Sequence, residues 1–332
     1  MRTIRWGIIG CGDVTEVKSG PGFQKAKGSK LIAVMRRDHE KAADYAKRHN
    51  VPRWYKDADD LINDPDVDAV YIATPPDSHN HYTQRVATVG KPIYVEKPMA
   101  RCFSECQEMV QICQQNNIPL FTAYYRRSLA LFLRVKELLQ TNRIGNVCFV
   151  NILLYQPPLN ADYKPEELPW RVLPYISGGG YFVDLASHTL DLLDFLFGPI
   201  CDVSGFAANQ ANLYPAEDIV SASFKFESGI LGSGIWCFSA KQQVDNVEIV
   251  GNLGKILFST FLDHPLTLIT EEGEYSWTFD RPQHIQQPHI QSIVNELNGI
   301  GKCPSNGTSA ARTNWVIDQI LKEWREQRGI HF

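Results

Sequence analysis

Lys97 stands between Glu96 and Pro98, directly after the apolar run Ile93-Tyr94-Val95, and Asp184 and His188 stand four apart further along the chain. A lysine at the end of a buried strand projects its ammonium from the carboxyl edge of a sheet, where it can polarise a carbonyl or stabilise a forming alkoxide. Residues four apart on a helix share a face. There Asp184 can orient the His188 ring or accept a substrate hydroxyl, while the imidazole takes and returns a proton near neutrality. Taken alone, such a pair also describes a helix-surface ion pair. The run Gly178-Gly-Gly180 just before it turns the reading towards function, because bare backbone lets a ligand approach closely.

A third element can hold a pyrophosphate. Gly10-Cys11-Gly12 closes a short apolar run, and Asp13 and Val14 open the next helix, whose N-terminus faces the turn. The third glycine of the usual fingerprint is replaced by Thr15, and Gly20-Pro21-Gly22 interrupts the helix that follows. A plain tight turn is the alternative; the strand, turn and helix around it favour the nucleotide site. After the second strand, where a carboxylate would meet the adenosine ribose of NAD, the chain reads Met35-Arg36-Arg37-Asp38. Two guanidinium groups there match a 2′-phosphate and imply NADP(H) over NAD(H). The alternative is a solvated loop face with Asp38 capping a helix. Thr74-Pro75-Pro76 follows the next long strand beside the expected cofactor, and His79 either touches the ligand or opens the next helix structurally. These pieces together read as a nicotinamide-dependent oxidoreductase.

The elements that must position them follow from patterning. Short apolar runs at 4–9, 31–35, 69–73, 93–96 and 120–123 alternate with amphipathic stretches at 40–49, 58–63 and 109–115. That is the pattern of parallel strands with crossover helices, a doubly wound α/β sheet. Asp38 and Asp57 are read as helix caps, and Ser104 with Gln107 as a capping box. After Tyr124 comes a helix over 128–141, a strand over 147–155, a proline-rich stretch over 157–174, and the helix with Asp184 and His188. Strands then follow one another at 203–208, 219–226, 230–238, 247–250, 255–260 and 266–270, before helices at 289–297 and 310–325. Consecutive strands without helices imply an open, mostly antiparallel sheet in an α+β domain. The expected domains are residues 1–123 for dinucleotide binding and 124–332 for substrate binding and oligomerisation.

The 332 residues are ordinary in composition, 44% hydrophobic and 21% charged, and a net charge of −4 makes no electrostatic case for nucleic acid. The first residues lack the pattern of a signal peptide and no apolar run suits a bilayer, so the expected compartment is the cytosol. There the eight cysteines would stay reduced. Cys102, Cys106 and Cys113 share a helical face, but no zinc-type spacing accompanies them, so no metal is expected.

Gly7-Ile-Ile-Gly-Cys-Gly12, Thr74-Pro-Pro76 with His79, Glu96-Lys-Pro98, Tyr124-Tyr-Arg-Arg127, Trp170-Arg171, Gly178-Gly-Gly180 and the Asp184/His188 pair resemble, in this order, the glucose-fructose oxidoreductase, inositol dehydrogenase and MocA family, Gfo/Idh/MocA. The resemblance implies a Rossmann domain followed by an α/β domain whose open sheet builds homodimers or homotetramers. It implies Lys97 as catalytic lysine, His188 as acid/base, and Asp184 as its substrate-binding companion. Glu96 would sit by the nicotinamide ribose, and Trp170 and Arg171 on the nicotinamide phosphate side. The Lys97-Pro98 bond would be open to the cis form. Tyr125 is expected to line the substrate pocket. The implied substrate is a small sugar, cyclitol or other polyol, oxidised at a secondary alcohol or reduced at the ketone. Rival readings are an enzyme that uses tightly bound NAD(P) transiently in sugar elimination or hydrolysis, and a non-catalytic NADP(H) sensor, against which Lys97, Asp184 and His188 speak together.

Overall fold

The computed structural model describes residues 1–332. Its contacts divide the chain into two units, Met1–Leu129 with Arg281–Ala311, and Ala130–Asp280 with Arg312–Phe332. Sequence patterning places the boundary at 123/124 and leaves the second domain unbroken. In the structure the segment Arg281–Ala311 returns to the first unit.

The first unit runs β1 (Ile4–Ile9), α1 (Asp13–Val17), α2 (Gly20–Lys25), β2 (Ser29–Met35), α3 (His39–Arg48), β3 (Arg53–Tyr55), α4 (Ala58–Ile62), β4 (Ala69–Ile72), α5 (His79–Thr88), β5 (Ile93–Val95), α6 (Phe103–Gln115) and β6 (Leu120–Thr122). The strands pair in the order β3-β2-β1-β4-β5-β6, all parallel. A parallel sheet is covered on both faces, which is why β4 and β5 are buried throughout. Alternate strand residues point to opposite faces. Accordingly Trp6, Ile8, Tyr71 and Tyr94 join one apolar cluster, and Ile9, Val70, Ile72, Ile93 and Val95 the other. The first cluster also takes Ile290, Ile293 and Val294 from α10 (Gln287–Leu297), and burial of that stripe explains why this late segment belongs to the first unit.

The second unit holds α7 (Ala130–Gln140), β7 (Val147–Tyr155), α8 (Pro174–Ser177), α9 (Tyr181–Phe197), β8 (Ile200–Ala208), β9 (Ile219–Phe226), β10 (Leu231–Cys237), β11 (Val244–Gly251), β12 (Gly254–Phe258), β13 (Leu266–Thr270) and β14 (Gly273–Trp277). The division between units falls inside α11 (Gly307–Arg328). The eight strands pair as β14-β13-β12-β11-β7-β10-β9-β8, antiparallel except for β7 with β10. Strict alternation of buried and exposed residues along β9 and β10 shows one covered face. On that face the Phe182 ring of α9 meets Trp236 edge-on at 5.1 Å. The opposite face exposes Phe149, Phe206, Leu231 and Ile235.

Three local expectations need correction. Strands β3 and β14 lie at sheet edges and carry no apolar run, so patterning passes over them. The capping box at Ser104 is not formed: α6 begins at Phe103, and Cys102 at its N-cap supplies no side-chain cap bond. Glu105 serves that end instead, accepting the Arg101 N–H at 3.0 Å. No helix is long and apolar enough to cross a membrane.

Candidate active site

In the first unit the candidate groups lie at the carboxyl ends of β1, β2, β4 and β5, around the point where the strand order reverses between β1 and β4. Gly10 has φ +91°, and a Cβ on it would lie 2.7 Å from the Thr74 methyl, so only glycine lets the β1 turn and the Thr74 loop approach this closely. A Cβ on Gly12 would meet only Gly10 O, at 4.0 Å, which leaves room for a ligand to approach the backbone. The N–H groups of the turn itself are already used, those of Gly10 and Cys11 on Met35 O and that of Gly12 on Gly10 O. The α1 segment has only five residues and carries Asp13 and Glu16 in its first turn, which opposes an anion. Close packing, normally the work of the third glycine, passes to Gly20: a Cβ there would meet the Tyr45 hydroxyl at 2.2 Å and the Thr15 carbonyl at 2.3 Å. Thr15 itself is buried, donating to Gly12 O at 2.7 Å and accepting from Tyr45 at 2.9 Å.

Arg36 leans over the turn, its Nη1 donating to Cys11 O at 3.1 Å, while Arg37 is exposed. Asp38 caps α3, accepting the Lys41 N–H at 3.1 Å. His79 is wholly buried, with Nε2 2.7 Å from Thr74 O and Nδ1 3.2 Å and 3.1 Å from the carbonyls of Pro98 and Met99. Burial lowers its pKa against the pull of those carbonyls. It fastens the Thr74 loop to the turn after β5, where sequence reasoning had offered a contact with the cofactor as one option.

Glu96 is buried and fully used. Its Oε1 accepts from the Tyr71 hydroxyl at 2.5 Å and from Gln286 Nε2 at 2.6 Å, and its Oε2 accepts the Lys97 N–H at 3.0 Å. Gln286 in turn accepts from the Tyr94 hydroxyl at 2.8 Å. This glutamine carries no motif and was not anticipated. Burial, with Glu96 alongside, drives the Tyr71 and Tyr94 phenols well above their usual range. Lys97 is half-buried at the end of β5, and the Lys97-Pro98 bond is cis. Tyr125 is buried, with the Arg126 guanidinium 5.1 Å from its ring centroid.

In the second unit α9 carries Asp184 and His188 on one face. Arg171 Nε lies 3.2 Å from Asp184 Oδ2, and its guanidinium stacks over Trp170 at 4.5 Å. The arginine expected on the nicotinamide phosphate side thus holds the carboxylate of α9. His188 is buried, with the Phe261 ring edge-on at 5.8 Å. Asp245 shapes that neighbour's turn by accepting the N–H groups of Thr260, Phe261 and Leu262 at 3.1, 2.5 and 3.0 Å. The glycine run also has a different duty from the one expected. A Cβ on Gly179 would lie 2.9 Å from Glu217 Oε1 and one on Gly180 2.7 Å from Glu217 O, so these glycines admit an interior carboxylate beside the start of α9.

Residues 4–124 match the oxidoreductase family with an NAD-binding Rossmann fold, and residues 132–257 match the GFO/IDH/MocA C-terminal domain. The chain belongs to the GFO/IDH/MocA oxidoreductase family. Among its relatives in this family, oxidoreductase P35 of Formosa agariphila is 39% identical, the match covering 95% of this chain and 97% of that one. The 1,5-anhydro-D-fructose reductase of Ensifer adhaerens is 25% identical over 91% of each chain. The WlbA dehydrogenase of Bordetella pertussis, solved with NADH and UDP-GlcNAcA, superposes with a TM-score of 0.84, covering 98% of this chain and 96% of that chain. At 23% identity that last likeness speaks for the fold. As a GFO/IDH/MocA protein the chain is an NAD(P)-dependent oxidoreductase.

Proposed function

We propose that this chain is an NADP(H)-dependent dehydrogenase or reductase of a sugar, cyclitol or related polyol, working at a secondary alcohol or its ketone. The observation that carries the reading is Lys97 at the carboxyl end of β5, its backbone held by a buried Glu96 next to the strand-order reversal. The bound nicotinamide would supply or accept the hydride. Gly10, Cys11, Gly12, Asp13, Val14, Thr74, Pro75 and Pro76 would line the cofactor, and the room at Gly12 suits a pyrophosphate. Arg36, with Arg37 beside it, would read a 2′-phosphate from the end of β2. Trp170 and Arg171 would stand on the nicotinamide phosphate side, with Arg171 also paired to Asp184.

The residues do the remaining work. The Lys97 ammonium stabilises negative charge on the substrate oxygen as the carbon loses or gains hydride. His188 takes the hydroxyl proton in oxidation and returns it in reduction. Asp184 accepts a neighbouring substrate hydroxyl, and Tyr125 contributes to the substrate pocket. In this reading the first unit carries the cofactor and the second selects the substrate, in the cytosol. The exposed apolar face bearing Phe149, Phe206, Leu231 and Ile235 would join copies into a homodimer or homotetramer. Phe206→Glu would then shift the light-scattering mass towards monomer.

Fluorescence titration of cofactor-stripped protein with NADPH and NADH tests the cofactor, followed by a polyol and ketose screen that includes 1,5-anhydro-D-fructose. Preferential NADPH binding with turnover of a polyol or its ketone is the expected result. Equal or tighter NADH binding would remove the Arg36 assignment, and absence of binding to either would remove the function.

A further inference from the structure

The first turn of α9 rests on a carboxylate from elsewhere in the chain. Glu217, in the loop between β8 and β9, is wholly buried, and its Oε1 accepts the Gly180 N–H at 2.7 Å. Its Oε2 is buried with no hydrogen-bond partner. The other end of the glycine run is held as well: Gly178 O accepts from Arg325 Nη2 at 2.7 Å, and Arg325 is paired with Asp318 at 2.6 Å. The groups whose charge acts on Glu217 are Arg325 from α11 and Asp218 from its own loop, where the Tyr214 phenol is pushed up and uncharged, while α9 presents the Gly180 N–H. Nothing in the reaction described above uses this acid.

We propose that Glu217 is a positioning residue whose neutral form seats the first turn of α9, and with it Asp184 and His188, in the arrangement that turns over substrate, and whose ionisation loosens that seat. A charged carboxylate makes the stronger bond to the N–H at the positive end of this 17-residue helix, but with Oε2 buried and unpartnered its desolvation costs more than that bond returns. Asp184 lies one turn from Gly180 and His188 two turns, so a change at the seat reaches Asp184 first. Burial pushes the Glu217 pKa up to about 7, while the Gly180 N–H and Arg325 pull it down. The seat therefore changes state across neutrality. The catalytic half of this inference rests on the roles proposed for Asp184 and His188; the seating half does not.

The test is hydrogen exchange of the intact protein across neutrality, read at the amides of residues 180–184 and corrected for intrinsic rates, with Glu217→Gln and Glu217→Asp alongside. In the wild type, protection should fall about tenfold as Glu217 ionises. Glu217→Gln should lose that step while remaining folded, and Glu217→Asp should keep a step of smaller size. A flat wild-type profile, or an unchanged step in Glu217→Gln, would overturn the proposal. With the favoured dinucleotide and the best polyol of the screen, Glu217→Gln should lose one ionisation from the kcat profile while dinucleotide affinity stays put. An unaltered kcat profile would overturn the positioning role. Absence of turnover in every form would refute the proposed function and leave the exchange result to decide the seat.

Discussion

The carboxyl edge of β5 in the first unit and the start of α9 in the second each hold a residue with chemistry to do on buried polar groups, and the two supports respond differently to pH. Around Glu96, the Tyr71 and Tyr94 phenols are pushed far up, so both stay neutral through the physiological range. Beneath α9, burial pushes Glu217 into that range. The Lys97 turn is a permanent fixture, fastened by Glu96 and by His79 with its carbonyls. The α9 seat is one whose charge varies. Ionising groups next to a reaction need not be the ones that exchange protons with substrate.

The comparison breaks most readily at Lys97. Lys97→Met should lower kcat by about 10²–10³-fold while leaving dinucleotide affinity intact, as expected for loss of a group that stabilises developing charge. Near-normal turnover in single-turnover kinetics would show that the fixed turn serves only the fold.

Glu217→Gln should separate the two regions by stability. Relative to an ordinary 4.5, the folded-state pKa is raised to about 7, so the wild-type contribution is complete below the unfolded pKa and is lost as pH rises through 7. Above that range the glutamine variant should be the more stable by up to about 3 kcal/mol, with the two converging in acid. Urea denaturation on both sides of neutrality measures this, and a constant difference at all pH values would contradict it.

Gln286→Leu supplies the counterpart in the first unit. It strands Glu96 Oε1 and the Tyr94 hydroxyl with fewer partners, at a cost of about 2 kcal/mol. That loss should be the same on both sides of neutrality, since no phenol there titrates in the range. A pH-dependent loss would show that the Glu96 cluster is not a fixed support.

The smallest effect is expected at the rim of the first unit. Arg36→Asp should shift the NADPH-to-NADH affinity ratio by about tenfold towards NADH. Competitive titration measures it, and an unchanged ratio would move the phosphate contact away from the end of β2.

Much of the first unit is legible in order, because a parallel strand buried on both faces leaves a continuous apolar run and its functional loop comes directly after it. The end of β5 at Val95 with Lys97 just beyond, Gly10 after β1 and Thr74 after β4 are read this way. The one-turn spacing of Asp184 and His188 likewise survives as a shared face of α9. The supports are not legible in that manner. Gln286 reaches Glu96 across 190 residues, and Arg325 reaches Gly178 across 147. A lone glutamine ahead of a helix, or a lone arginine within one, has no periodicity to distinguish it from a solvated one. The pairing of Arg171 with Asp184 in the second unit is a further contact that no local pattern announces.

The sequence by itself determined the strand and helix succession, the family, and which side chains stand at strand ends or share a helix face. These follow from the regular periods of backbone structure and the burial of apolar runs. The tertiary structure alone decided that Arg281–Ala311 completes the first unit, that the glycine run admits Glu217 to the start of α9, and which buried partners hold Glu96. Those choices depend on polar groups that meet once the apolar faces have packed. An interior donor or acceptor must find its partner wherever the chain has brought one, at a separation no local pattern records.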